Sequence, residues 1–388
     1  MTITDSPAMA HEVATSTHPV GEDGAEDMDG NDLRRRRVMS HWLLFMCFLT
    51  ALMVLVGGAT RLTDSGLSIT EWKPVTGAIP PLSVEAWQVE FEKYKRIPEY
   101  EIVNKGMSLS EFKTIYYWEW GHRLLGRVIG LAFLLPMVFF ALKGWVGRNL
   151  GIKLFGLFLL GGAQGALGWY MVQSGLSARV DVSQYRLAAH LGLAVFLFAA
   201  MLWVAMDLRH REKDLISVNG LGIGALALAA GVYGQIILGA FVAGLRAGHT
   251  YTTWPLMDGK FFPDAYFVGS ASFNDLFDSI AAVQFNHRIG AYLVALGGLW
   301  FFIKARQSAF EKSARLVLAA IIAQIVLGIA TLVSATPIGL GLAHQVGALA
   351  VLLAALASAH KSKTFRSSLG LSSSGAASLR GLAGSPKG

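Results

Sequence analysis

Four histidines, His122, His190, His287 and His344, each stand at the N-terminal edge of a long apolar segment, and two recur in near-duplicate contexts, GHRLLGR and NHRIGAY. Imidazole is a ligand for transition metals and haem iron, and an ionisable group within a membrane is costly enough to mark function by default. Two pairs of such rings are what a membrane protein needs to hold one or two haems, each between two axial histidines. A lone histidine at a helix end is more often a satisfied interfacial residue, but four at equivalent positions are harder to explain that way. His11, His18, His41, His210, His249 and His360 fall in tails, flanks or an outer loop and read as solvated groups or local hydrogen-bond partners.

The elements that must position the four follow from composition. Of 388 residues, 53% are hydrophobic and 15% charged, outside the usual range of a soluble domain. A helix crossing a bilayer takes about 20 mostly apolar residues. Eight runs qualify: 41–61, 119–142, 152–173, 187–207, 217–243, 284–303, 315–335 and 341–360. They are continuously apolar, without the period-two alternation of membrane strands, and predict an all-α membrane protein. The single cysteine, Cys47, excludes an intrachain disulfide and a CxxC metal site.

Basic residues set the orientation. Arg34 to Arg37, Lys143, Arg148 and Lys153, Arg209, Arg211 and Lys213, Lys304, Arg306, Lys312 and Arg315, and the basic C-terminal tail all fall on one side. That side is predicted to be cytoplasmic, with both termini there. The net charge of +7 is dispersed over short loops, so no nucleic-acid surface is expected. An acidic leader precedes the first apolar run, so neither a cleavable signal peptide nor an Arg-rich presequence is expected, which points to a bacterial cytoplasmic membrane. Residues 1–33 and 364–388 bury too little to offset chain entropy and are expected to be disordered.

Self-similarity organises the rest. VLVGGATRL at 54–62 resembles QIILGAFVAGL at 235–245, and EWGHRLLGRVIG at 119–130 resembles QFNHRIGAYLVA at 284–295. GAQGALGWYMVQSGL at 162–176 resembles IAQIVLGIATLVSA at 322–335, and RLAAHLGLAVFLF at 186–198 matches GLAHQVGALAVLL at 341–353. Each copy holds an even number of spans, so the copies share one orientation, as in a parallel repeat. The expected division is a leader (1–37), an N-terminal four-helix bundle (38–210), a C-terminal four-helix bundle (211–363) and a tail (364–388). The four histidines then fall at the non-cytoplasmic ends of even-numbered helices. His122 pairs with His190, and His287 with His344, one site per bundle.

The copies differ in chemistry. Glu119 lies three residues before His122, on the same helix face, where the second copy has Gln284. A carboxyl beside a haem can accept a proton or stabilise charge, whereas glutamine can only hydrogen-bond. Alternatively, Glu119 forms a salt bridge to Arg123. Arg123, Arg288 and Arg127 suit the carboxylates of haem propionates by guanidinium geometry, or else anchor helix ends at the interface. The outer connection 62–118 is the longest, and its aromatics and prolines suit an ordered cap. The 244–283 loop is shorter, and aromatics in both loops also suit an interface belt.

These residues carry a family resemblance. TRLTDSGLSITEWKPVTGAIPP, the stretch EFKTIYYWEWGHRLLGR, the SGL after the third span and the His-Arg at 287–288 resemble the haem A synthase family of respiratory-oxidase assembly, over roughly residues 38–360. The chain lacks an outer-loop cysteine pair, as in the proteobacterial and mitochondrial branch, so the resemblance does not extend to a thiol-based step on the outer side. The resemblance implies oxidation of the C8 methyl of haem O to a formyl group through a hydroxymethyl haem. It further implies haem O as substrate on His122 and His190, haem b on His287 and His344, and Glu119 assisting the oxidation. Haem O synthase and cytochrome oxidase assembly factors are the implied partners. A dihaem b-type electron carrier would use the same four histidines, although four ligands at one depth suit it poorly. A haem-binding chaperone would need no acid beside one pair.

Overall fold

The computed structural model describes residues 22–177, 179–209, 220–267 and 272–368. In chain order its α-helices are α1 (Glu22–Leu62), α2 (Val84–Tyr94), α3 (Pro98–Ile102), α4 (Leu109–Leu142), α5 (Arg148–Gln173), α6 (Gln184–Asp207), α7 (Gly220–Gly244), α8 (Asp275–Asp278), α9 (Ile280–Ala305), α10 (Glu311–Val333) and α11 (Ile338–Ser368). All but α2, α3 and α8 are long and apolar enough to cross a membrane, giving eight candidate spans where the sequence places eight apolar runs. Among the described residues the only strand-like feature is an isolated bridge between Met257 and Lys260.

Several helices run past their apolar stretches. α4 begins at Leu109 because Ser108 Oγ accepts the Glu111 backbone N–H at 3.3 Å while Glu111 Oε2 accepts that of Ser108 at 2.8 Å. Such reciprocal capping contributes roughly 0.5–2 kcal/mol. Gly144, at φ +68, follows the helix in the left-handed conformation glycine tolerates. α1 already begins at Glu22, so residues 22–37, expected to be an irregular leader, continue the first helix. Residues 1–21 of that leader, residues 369–388 of the tail, and His210, Arg211 and Lys213 of the orientation argument lie outside the described residues.

Each spanning helix packs on the next spanning helix in the chain. α1, α4, α5 and α6 close into one ring of contacts and α7, α9, α10 and α11 into another, and the rings meet through α6 on α7 and α1 on α11. Consequently α1, α6, α7 and α11 are interior, with 44, 50, 33 and 33% of their spans buried against 11 to 17% for the other four. The outer helices show Leu131, Leu135, Phe155, Leu159 and Leu293 outward, as lipid contact requires. Lipid tails are as apolar as leucine, so helix association there depends on close packing and interhelical hydrogen bonds. Ser40 Oγ donates to Ala205 O at 2.7 Å, Trp42 Nε1 to Ala132 O at 2.9 Å and Tyr233 OH to Gly192 O at 3.1 Å.

The two ends of the molecule are tied differently. At the end that gathers the start of α1 and the close of α11, His360 Nε2 sits 2.8 Å from Asp207 Oδ1 across α11 and α6. His360 is therefore buried in a specific pair, where a solvated group was one expectation. At the opposite end Arg61 and Arg246 interleave with Asp64 and Asp181: Arg61 to Asp181 is 3.1 Å, Arg246 to Asp64 2.7 Å and Arg246 to Asp181 2.8 Å. Burial pushes the Asp181 carboxyl up, but hydrogen bonding from Arg246 and the positive charge of Arg61 outweigh it and hold it below the usual carboxylate range. This cluster joins the C-terminal ends of α1 and α7 to the α5–α6 loop.

The long outer connection is an ordered cap. Trp87, Phe91, Tyr94 and Ile97 bury themselves with Leu67 and Ile69 against Phe112 and Tyr116 of α4, and the Phe91 and Phe112 rings stack at 4.9 Å. Inside it Glu99 is 3% exposed and accepts from Tyr94 OH at 3.1 Å, which accepts in turn from Asn104 Nδ2 at 2.7 Å. Burial pushes the Glu99 carboxyl up to about 8.

Candidate functional site

Each histidine ring rests on a glycine of the preceding long helix. A Cβ built on Gly57 would come 3.0 Å from the His122 ring, on Gly168 2.9 Å from His190, on Gly239 3.1 Å from His287 and on Gly328 2.7 Å from His344. Only glycine allows helix and ring to approach so closely. Each glycine stands five residues before the end of its helix (57 to Leu62, 168 to Gln173, 239 to Gly244, 328 to Val333), so the four rings lie at one level. That level is toward the end carrying the cap and the Arg61–Asp181 cluster.

The rings of His287 and His344, one of the pairs read from the sequence, come together. His287 and His344 have ring centroids 6.4 Å apart at 76°. His122 and His190 stand at one level on α4 and α6, each against its glycine. Two imidazoles binding one metal through nitrogens at about 2.0–2.1 Å place their centroids roughly 6 Å apart, so the 6.4 Å pair fits a shared axial site. Among the described residues no three His, Cys, Asp or Glu side chains converge as a protein-only metal site. Paired rings, glycine cradles and a matched separation fit a haem held between two histidines.

Glu119 is 3% exposed and saturated with donors. Its Oε2 accepts from Ser68 Oγ at 2.9 Å and from Ile69 N at 2.8 Å, and its Oε1 accepts from both Nε and Nη2 of Arg123, the former at 2.9 Å. The salt bridge to Arg123 is thus present, and it belongs to a larger clamp. Arg123 also donates to Ile69 O at 2.8 Å and Glu71 O at 2.9 Å, and Arg127 to Pro74 O at 2.8 Å and Lys73 O at 2.7 Å. The loop motif TRLTDSGLSITEWKP is strapped to α4 by these groups.

The second half repeats the clamp without the carboxylate. Gln284 donates to Ala247 O at 3.0 Å and Tyr251 O at 3.1 Å, and Arg288 donates to Tyr251 O at 3.1 Å and to Gln284 Oε1 at 3.2 Å. The donors of Arg123 are therefore shared between the Glu119 carboxylate and loop carbonyls, and most of those of Arg288 go to loop carbonyls. Arg127 Nη1 and Arg288 Nε are buried without a partner.

Sequence reasoning missed three glutamines. Gln164, Gln235 and Gln324 lie against His190, His287 and His344, with amide nitrogen to Nδ1 distances of 3.1, 3.0 and 3.1 Å. Their signal was legible: Gln-x-x-x-Gly recurs at 164–168, 235–239 and 324–328. His249, in the loop after α7, meets Thr336 Oγ1 at 3.0 Å, a partner 87 residues away in the chain.

Eight candidate spans with half-buried histidines at one level define a polytopic helical membrane protein built around intramembrane imidazole sites. Residues 40–356 match the model of the cytochrome oxidase assembly protein family, and the chain belongs to that family. Among similar proteins, the Heme A synthase of Parvibaculum lavamentivorans is 53% identical over 320 residues, covering 82% of this chain and 93% of that protein. The Heme A synthase of Maricaulis maris is 49% identical over 328 residues, covering 84% and 96%. That of Rhizobium meliloti is 48% identical over 354 residues, covering 90% and 95%.

Proposed function

We propose that this chain is a haem A synthase, an oxidoreductase that converts the C8 methyl of haem O to a formyl group through a hydroxymethyl intermediate during cytochrome oxidase assembly. His122 and His190 hold substrate haem O in the first half, and His287 and His344 hold haem b in the second. When bound, haem b supplies a one-electron relay that carries electrons away from the oxidation. The observation that carries the proposal is the asymmetry of two otherwise matching sites, with a buried carboxylate at Glu119 and a neutral amide at Gln284. The named relatives support it.

Glu119 acts beside the substrate as fixed negative charge. A proton acceptor needs a free lone pair, and each Glu119 oxygen already takes two donors. A carboxylate held so firmly is preorganised to stabilise positive charge developing at the methyl carbon and to keep the cap in register over it. Of the three arginines Arg123, Arg127 and Arg288, Arg127 Nη1 and Arg288 Nε are the buried nitrogens left for haem propionates. Arg123 mainly orients Glu119.

The matched contacts support an internal parallel repeat of two four-helix bundles, 38–210 and 211–363, because each histidine–glycine pair in one half has its counterpart in the other. By the distribution of basic residues the histidine level faces the periplasm and both termini the cytoplasm, in a bacterial inner membrane. Haem O synthase and oxidase assembly factors are the partners this chemistry calls for. Replacing Glu119 by Gln and separating the extracted haems tests the proposal: loss of haem A with haem b retained is expected, and unchanged haem A would overturn it.

A further inference from the structure

Two helix pairs that occupy equivalent places in the halves are packed unequally. α9 and α10 lie closely on each other, whereas α4 and α5 meet more sparsely. The side chains that α5 buries, Leu154 and Leu157, both lie near its connection to α4, where Phe140 stacks on Trp145. From 158 to 173, the part of α5 that carries Gly168 and reaches the histidine level, no residue is fully buried. The corresponding part of α10 buries Ile321 and Thr331.

The repeat supplies the reason. Counted from the shared Gln-x-x-x-Gly, Gly161, Gly162 and Gly165 of α5 stand where α10 has Ile321, Ile322 and Ile325. Ile321 seats on α9, its terminal methyl 2.6 Å from where a Cβ on Gly298 would stand, and Ile325 packs on the core. A Cβ on Gly161, Gly162 or Gly165 would meet no atom within 4 Å. Gly161 and Gly165 share a helix face with Gly168, on which His190 rests, so these positions run up α5 to the first histidine pair.

An aromatic contact crosses the seam at that level. Trp72 stacks on Trp169 of α5 with ring centroids 5.4 Å apart at 26°. Trp72 belongs to the cap yet is tied to α4, because the carbonyls of its neighbours Glu71 and Lys73 accept from Arg123 and Arg127. Both indoles are about half exposed. The second half has Ile329 in the place of Trp169.

We propose that the seam between α4 and α5 is a lateral entrance from the bilayer for a prenylated haem, with Trp72 and Trp169 as its gate. This inference rests on the reading of the first half as the substrate site. Haem O carries a farnesyl chain that haem b lacks, and such a chain partitions into lipid. A substrate must also come and go, whereas a permanent cofactor stays. The half with the Glu119 carboxylate is the half with the sparse seam, and the half with Gln284 is filled by isoleucine at the same positions. The macrocycle passes between the helices to His122 and His190, and the chain lies along Gly161 and Gly165.

The test uses the full-length protein in lipid nanodiscs with haem O supplied in the lipid. Loading of the first half is read as growth of the low-spin bands of a bis-histidine haem over those of haem b. In a Trp72→Cys, Trp169→Cys variant the two thiols are joined by a photocleavable bismaleimide; Cys47 is buried and does not compete. The joined protein should load severalfold more slowly, illumination should restore the rate, and haem b should stay constant. Joining and release use the same sample, so a folding defect does not imitate that pattern. Gly165→Ile, which copies the second half, should cut haem O occupancy severalfold with haem b retained. Equal loading rates before and after illumination, or wild-type occupancy in Gly165→Ile, would overturn the inference and leave the seam to membrane lipid. His190→Ala separates the two readings: if it loads haem O as wild type, the substrate-site reading fails. If it does not load while the joined protein loads freely, only the entrance fails.

Discussion

The rings of His287 and His344 stand 6.4 Å apart and 76° from coplanar, one on α9 and the other on α11. Neither helix fixes that relation alone. Gly239 and Gly328, on α7 and α10, admit the rings, and the amides of Gln235 and Gln324 lie against them. The account predicts a low-spin ferric haem with near-perpendicular axial imidazoles, seen as a strongly anisotropic electron paramagnetic resonance signal. His287→Ala and His344→Ala should each abolish that signal, whereas His249→Ala should leave it intact.

The glycine cradles give a second prediction. Gly239→Ala would place a methyl 3.1 Å from the His287 ring and Gly328→Ala one 2.7 Å from His344. Each should displace its imidazole and cut haem b content severalfold, with the tighter contact at Gly328 causing the larger loss. Gly130→Ala, on open space, should retain full haem. Pyridine haemochrome quantification checks all three.

Stability should depend on pH through the cap. Glu99 titrates at about 8 when folded, above its ordinary carboxylate value, because it is buried. The folded state therefore binds the proton more tightly than the unfolded one, so the contribution is fully present below the unfolded pKa and is lost as pH rises through about 8. Wild-type protein should melt at lower temperature at pH 9 than at pH 6. Glu99→Gln should reduce that difference, as measured by thermal unfolding in detergent, and an unchanged difference would contradict the assignment.

Asp181 bridges Arg61 and Arg246 where the C-terminal ends of α1 and α7 meet the α5–α6 loop. Asp181→Asn leaves two guanidinium groups facing one carboxylate, and because Arg246 is 43% exposed the expected loss is modest, about 1 kcal/mol. Thermal unfolding should show a fall of a few degrees with both haem spectra retained.

The spans and the histidine pairs were legible in the sequence because bilayer thickness and the cost of intramembrane imidazole leave strong marks. Helix ends outside the apolar runs were not, since α4 starts at Leu109 through a Ser108–Glu111 cap that hydropathy does not register. The Glu119–Arg123 bridge could be foreseen from their spacing of four, but the donors from Ser68 and Ile69 depend on how a loop some 50 residues away folds back. Asp207 and His360 are 153 residues apart, and only the packing of α6 on α11 brings them together. Gln-x-x-x-Gly was visible three times, yet a lone glutamine in an apolar run gains meaning only from the ring it lies against.

The central claim is that the first site transforms its haem while the second retains one. Chromatographic separation of haems extracted from purified wild type and Glu119→Gln addresses it most directly. The account predicts haem b with haem O or haem A in the wild type, and haem b with haem O but no haem A in the variant. Haem b alone in both, at two per chain, would contradict it and make the protein a dihaem electron carrier.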